Sequence, residues 1–124
     1  MSMLLTIAAG GAIGSVLRYW VSTSVHAFAG QGFPYGTFVV NVIGSMAMGF
    51  LFVVMLERAQ SGPEMRAFLL IGLLGAFTTF SAFSMETLDL LGQGSYWKAL
   101  VNMSASVVAC VGAAFIGMLA GRQL

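Results

Sequence analysis

Four stretches of this chain carry no Asp, Glu, Lys or Arg: residues 1–17, 34–56, 67–85 and 99–121. A helix needs about 20 apolar residues to cross a hydrocarbon core about 30 Å thick, so each stretch is near or above the length of one crossing. The titratable groups fall between them. Arg18 and His26 come first, then Glu57, Arg58, Glu64 and Arg66, then Glu86, Asp89 and Lys98, with Arg122 after the last stretch. A soluble domain carries about a quarter charged residues. Here 7% of the 124 residues are charged and 59% are hydrophobic, too few polar groups to cover a globular surface in water. The pattern predicts an all-α membrane protein, a single domain over 1–124 with helices at about 3–25, 34–57, 64–91 and 96–122. The first stretch has no basic residue ahead of Arg18, so it reads as a retained helix and not as a cleaved leader.

Composition also removes several function classes. A net charge of +1 leaves no electrostatic footprint for nucleic acid. The single cysteine, Cys110, excludes an intrachain disulfide and a cysteine metal cluster. No HExxH, GxSxG or P-loop pattern occurs, and there is one histidine, so nothing points to an enzyme. Glu86 and Asp89 stand three residues apart near the end of the third segment, where they read as its polar interfacial end in preference to a paired acid/base role.

The connections are marked by Gln31-Gly32-Phe33-Pro34, Ser61-Gly62-Pro63-Glu64 and Gly92-Gln93-Gly94-Ser95. Within the segments lie 16 glycines less those of the turns, including the pairs Gly10/Gly14 and Gly117/Gly121, and Ser45/Gly49 repeats the spacing. Lipid offers little hydrophobic drive between helices, so small residues that let backbones approach supply the association energy. Four helices enclose little interior, and a second copy is expected to complete the bundle. Arg58, Arg66 and Arg122 share one side of the membrane and Arg18 and Lys98 the other. Orientation follows a clear Lys/Arg excess, and this one is slight, so insertion in both directions and an antiparallel pair are permitted.

Polar residues inside the spans are the candidate functional groups. In the third span Gly72, Gly75, Thr78, Thr79, Ser81 and Ser84 crowd together. Either the helix breaks there, leaving carbonyls free to coordinate a cation, or the hydroxyls bond back to their own helix. Asn41 in the second span is either interhelical glue or a pore-facing donor. Asn102, Ser106 and Cys110 recur every four residues and share one face of the fourth helix, turned to a polar path or to a partner helix.

Three runs carry a resemblance: Gly10-Gly11-Ala12-Ile13-Gly14-Ser15-Val16-Leu17-Arg18-Tyr19, Pro34-Tyr35-Gly36-Thr37-Phe38-Val39-Val40-Asn41-Val42-Ile43-Gly44-Ser45, and Gly75-Ala76-Phe77-Thr78-Thr79-Phe80-Ser81-Ala82-Phe83-Ser84-Met85-Glu86. In order and spacing they resemble the Fluc fluoride channels, also called the CrcB family, over nearly the whole chain. The resemblance implies a passive, fluoride-selective channel that exports the ion and lowers its toxicity. It implies a multi-pass protein of the prokaryotic plasma (inner) membrane, acting as a dual-topology homodimer with two antiparallel pores and needing no other protein partner. It further implies that helix 3 is broken mid-membrane and that a structural sodium ion is held there by the main-chain carbonyls of Gly75 and Thr78. Fluoride would meet Asn41, Phe80, Phe83, Ser81, Thr79 and Ser106, with Arg18 at the vestibule. Ala82, Cys110 and Ala114 stand where the family tends to have hydroxyls, which thins the row of polar contacts. Two other classes compete. A small multidrug exporter needs a membrane-embedded carboxylate, and the first helix has none. A non-transporting scaffold would give no ion flux.

Overall fold

The computed structural model describes residues 2–58 and 61–124, and among these there is helix and no strand. Four helices are long and apolar enough to cross a membrane: α1 Met3–Ala29, α2 Tyr35–Arg58, α3 Pro63–Gly92 and α4 Tyr96–Arg122. The protein is accordingly a multi-pass membrane protein. Local chemistry sets the ends. Ser2 caps α1, its Oγ accepting from the Leu5 amide at 3.3 Å. Gly30 closes it at φ 90°, in the left-handed region that costs glycine little. Pro63 stands in the first turn of α3, where its missing N–H leaves nothing unpaired.

Two regions wind more widely than an α-helix, Val54–Arg58 at the end of α2 and Ala67–Leu73 in α3. In the second, the Leu74 N–H reaches back to the Leu69 carbonyl, five residues earlier. The first half of α3 ends at Phe77 and the second half begins at Phe80, with Thr78 (ψ 155°) and Thr79 (φ −151°, ψ 113°) extended between them.

Packing follows the small residues. α2 lies most extensively against α4, and α1 against the first half of α3. A methyl group added to Gly10 would run into the Phe68 carbonyl oxygen, and one on Gly14 into that of Leu73. Gly72 answers from α3, its added Cβ standing 2.7 Å from the Ile7 oxygen. On the other seam, Gly49 faces the Ala114 carbonyl and Gly117 that of Met46. The outside is apolar: Leu4, Val16, Phe28, Val108 and Val111 are among many exposed large side chains, a surface for lipid and not for water. At the terminal end of the bundle, Arg58 donates to the Arg122 carbonyl, and Arg122 lies 3.8 Å from Glu57.

Candidate functional site

The extended pair Thr78-Thr79 is held from two directions. From α2, Asn41 clasps the Thr79 peptide on both sides: its Oδ1 accepts the Thr79 N–H at 2.8 Å and its Nδ2 donates to the Thr79 carbonyl at 3.1 Å. Backbone away from water must have its polar groups paired. This amide supplies for Thr79 what a neighbouring strand would. From α1, Arg18 donates through Nε to the Ala76 carbonyl at 3.0 Å. Thr79 then caps the second half of α3, its Oγ1 accepting the Ala82 N–H at 3.1 Å and standing 3.2 Å from Ser81 Oγ. Thr78 bonds back to its own helix, hydroxyl and amide both reaching the Leu74 carbonyl, at 3.0 and 3.1 Å.

Below this clasp opens a groove of about 370 Å³ between α2, α3 and α4. Asn41, Thr78, Thr79, Phe80, Phe83 and Ser106 all line it, as do Ser45, Cys110 and Ala114. The two phenylalanine rings lie 5.2 Å apart, tilted by 38°. Phe80 is 77% exposed, so the groove faces outward from the chain and is not sealed within it. On its α4 wall, Ser106 donates to Asn102 Oδ1 at 3.5 Å, Asn102 donates to Thr87 Oγ1 at 2.8 Å, and Thr87 donates to the Phe83 carbonyl at 2.7 Å. Asn102, only 2% exposed, therefore ties the fourth helix to the one that carries the phenylalanines.

A second cavity of about 300 Å³ lies on the α1 side, lined by Ser15, Arg18, Ser22, Thr37, Thr79 and Glu86 among others. Thr79 belongs to both cavities, so it stands at their junction. Glu86 has a partner on α2 that its spacing from Asp89 did not show. Its Oε2 accepts from Thr37 at 2.8 Å, and its Oε1 is buried without a hydrogen-bond partner among the described residues. Asp89 is exposed. Both carboxylates also line a wider opening of about 550 Å³ at the loop end, together with His26 and Lys98. Lys98 there donates to the Gly32 carbonyl at 3.1 Å.

The structure thus gathers Asn41, Thr78, Thr79, Phe80, Phe83 and Ser106 at one groove and sets Arg18 in the adjoining cavity. Ser81 is tied to it through Thr79, and Gly75 is exposed one turn before the extended pair. Thr37, Thr87 and Glu86 were not singled out as site residues from the sequence. A hydroxyl or carboxylate inside an apolar span was the available signal.

The model of the CrcB-like protein, Camphor Resistance (CrcB) family matches residues 5–118. The chain belongs to the CrcB family. Curated CrcB relatives described as "Fluoride-specific ion channel FluC" align along almost all of it. The one from Magnetococcus marinus is 49% identical over 95% of this chain and 96% of its own length. That of Coxiella burnetii is 46% identical over 100% of both chains. The relative from Methylococcus capsulatus is 48% identical over 98% of this chain, which spans about half, 53%, of that longer protein.

Proposed function

We propose that this CrcB-family chain is the subunit of a fluoride-selective channel that lets fluoride leave the cytoplasm passively across the plasma (inner) membrane of a prokaryote, and that it has no enzymatic activity. The observation that carries the reading is the outward-facing groove lined by the Asn41 amide, the hydroxyls of Thr78, Thr79 and Ser106 and the rings of Phe80 and Phe83. The full-length relatives named as fluoride-specific channels support it.

Fluoride is small and tightly hydrated, so a narrow path must replace its lost water closely. Asn41 has two amide hydrogens and spends one on Thr79, leaving the other for an anion. The Thr79–Ser81 hydroxyl pair keeps one hydrogen beyond its mutual bond, and the Ser106 hydroxyl can turn from its long 3.5 Å bond to Asn102 toward an ion. The rings of Phe80 and Phe83 present positive edges that an anion can meet without a cation being drawn in. Among the described residues, those lining the groove include no carboxylate, imidazole, ammonium or guanidinium, which suits conduction without proton exchange. Arg18, in the adjoining cavity, raises the local anion concentration at the entrance.

The functional unit in this reading is two antiparallel copies. The polar groups of Asn41, Thr79 and Ser106 that line the groove would be costly if left open to hydrocarbon, and a second copy would cover them. Two such grooves give two pores. The extended residues of α3 then lie at mid-membrane, next to a central sodium ion held by the Gly75 and Thr78 carbonyls of each copy. The residues fit such an ion. A hard cation takes oxygen donors, and the main-chain carbonyls of Gly75 and Thr78 are of that kind. In an unbroken helix the Gly75 carbonyl would accept from Thr79 N–H and that of Thr78 from Ala82 N–H, and both donors are engaged elsewhere. When bound, sodium supplies positive charge that offsets the converging carbonyl dipoles and joins the two copies.

Proteoliposomes loaded with fluoride should empty rapidly through the reconstituted protein, read with a fluoride electrode, while chloride stays inside. Equal chloride efflux would sink the reading, and no flux of either ion would favour a scaffold. Mass measurement in mild detergent should give twice the mass of the chain. A cysteine pair that links only antiparallel copies should trap that species, and a purely monomeric protein would argue against the dimer.

A further inference from the structure

We infer that Asn41 and Thr79 are positioning residues for the cation site, each stripping one carbonyl of its helical partner so that it can face sodium. The inference rests on the sodium reading above and adds the cause of the free carbonyls. An α-helix pairs each carbonyl with the amide four residues on. Across this part of α3 two of those amides are captured by side chains. Asn41 Oδ1 takes the Thr79 N–H at 2.8 Å, which leaves the Gly75 carbonyl without it. Thr79 Oγ1 takes the Ala82 N–H at 3.1 Å, which leaves the Thr78 carbonyl without it. The two carbonyls released are the same two proposed to hold the ion. The carbonyl of Ala76, which lies between them in sequence, accepts from Arg18 Nε at 3.0 Å, and the guanidinium charge beside it disfavours a cation there.

The captures are also mutually supporting. Asn41 holds Thr79 extended by bonding both its amide and its carbonyl, and the extended backbone puts the Thr79 hydroxyl at the N-terminus of the second half of α3 as its cap. Without the Asn41 acceptor, the nearest compensation for the Thr79 N–H in a low-dielectric setting is to re-form the helical bond to Gly75. That turns the carbonyl back along the helix axis. Both residues also line the groove, so the anion path and the cation site share one hydrogen-bonded unit.

The test is the sodium concentration that half-saturates the rise in thermal midpoint of the full-length protein in detergent, with choline as the replacing cation. Asn41→Ala and Thr79→Val should each raise that concentration about tenfold or more, the usual loss when a group that orients a metal ligand is removed. Thr79→Ser keeps the capping oxygen and should stay near the wild type. A side chain that only stabilises the fold lowers the midpoint equally with and without sodium and leaves half-saturation unmoved. That result in both variants overturns the inference. Variants that fail to fold even at saturating sodium overturn it too, since displaced carbonyls predict rescue by excess cation. A wild-type protein indifferent to sodium removes the sodium reading and this inference with it, whereas a sodium-dependent wild type with unchanged variants removes the inference alone.

Discussion

If the chain forms the fluoride channel proposed above, Phe80→Ile and Phe83→Ile are each expected to cut fluoride efflux about 10- to 100-fold while leaving the fold and the particle mass unchanged. The estimate takes one interaction with a partly dehydrated anion as about 1.5–3 kcal/mol, and each 1.4 kcal/mol as tenfold. Isoleucine keeps the apolar bulk but has no positive ring edge to turn toward the ion. The rings lie 5.2 Å apart on neighbouring turns, so each replacement also frees its companion from a tilted ring contact. Phe80 is 77% exposed within its own chain, so its loss leaves no cavity in the protomer core. Gel filtration and thermal midpoint should therefore stay close to wild type, and the electrode trace should carry the difference. Unchanged efflux in both variants would take the rings out of the path.

The second large effect is steric. Gly49→Val and Gly117→Val are expected to disrupt the protein outright, seen as loss of the monodisperse peak or a fall of many degrees in thermal midpoint. Each added side chain meets main chain across the α2–α4 seam, Ala114 for Gly49 and Met46 for Gly117. Overpacking a core costs about 1–3 kcal/mol when side chains can yield, and here the opposing atoms are backbone that yields less. Prising the seam apart also forfeits the close approach on which association in lipid depends. Gly112→Ala is the control. An added Cβ there meets nothing within 4 Å, so the substitution should be neutral or stabilise α4 by up to about 1 kcal/mol. If the valine variants behaved like the control, the seam would not be the source of the bundle's stability.

Much of the architecture was legible before any coordinates. The charge-free stretches matched helices, and the pairs Gly10/Gly14 and Gly117/Gly121 were visible as packing positions. Their partners were not visible. Nothing local says that Gly14 meets Leu73 while Gly117 meets Met46, because a glycine advertises close approach without saying to what. Asn41 stood open between glue and pore donor, and its amide turns out to bridge to α3 while its side chain lines the groove. Glu86 was harder still. Its spacing from Asp89 described a polar helix end, yet its partner Thr37 comes from α2.

Membrane residence and helix number are thus legible in the sequence by itself, because long charge-free apolar stretches favour hydrocarbon over water and the charges between them mark where each crossing ends. The site was decided by tertiary structure. Asn41 and Thr79 are 38 positions apart, and only the packing of α2 on α3 brings an amide within 2.8 Å of the one N–H whose diversion leaves the Gly75 carbonyl without its helical partner. A hydrogen bond acts over about 3 Å, so which backbone groups lose their helical partners depends on contacts that no run of neighbouring residues encodes.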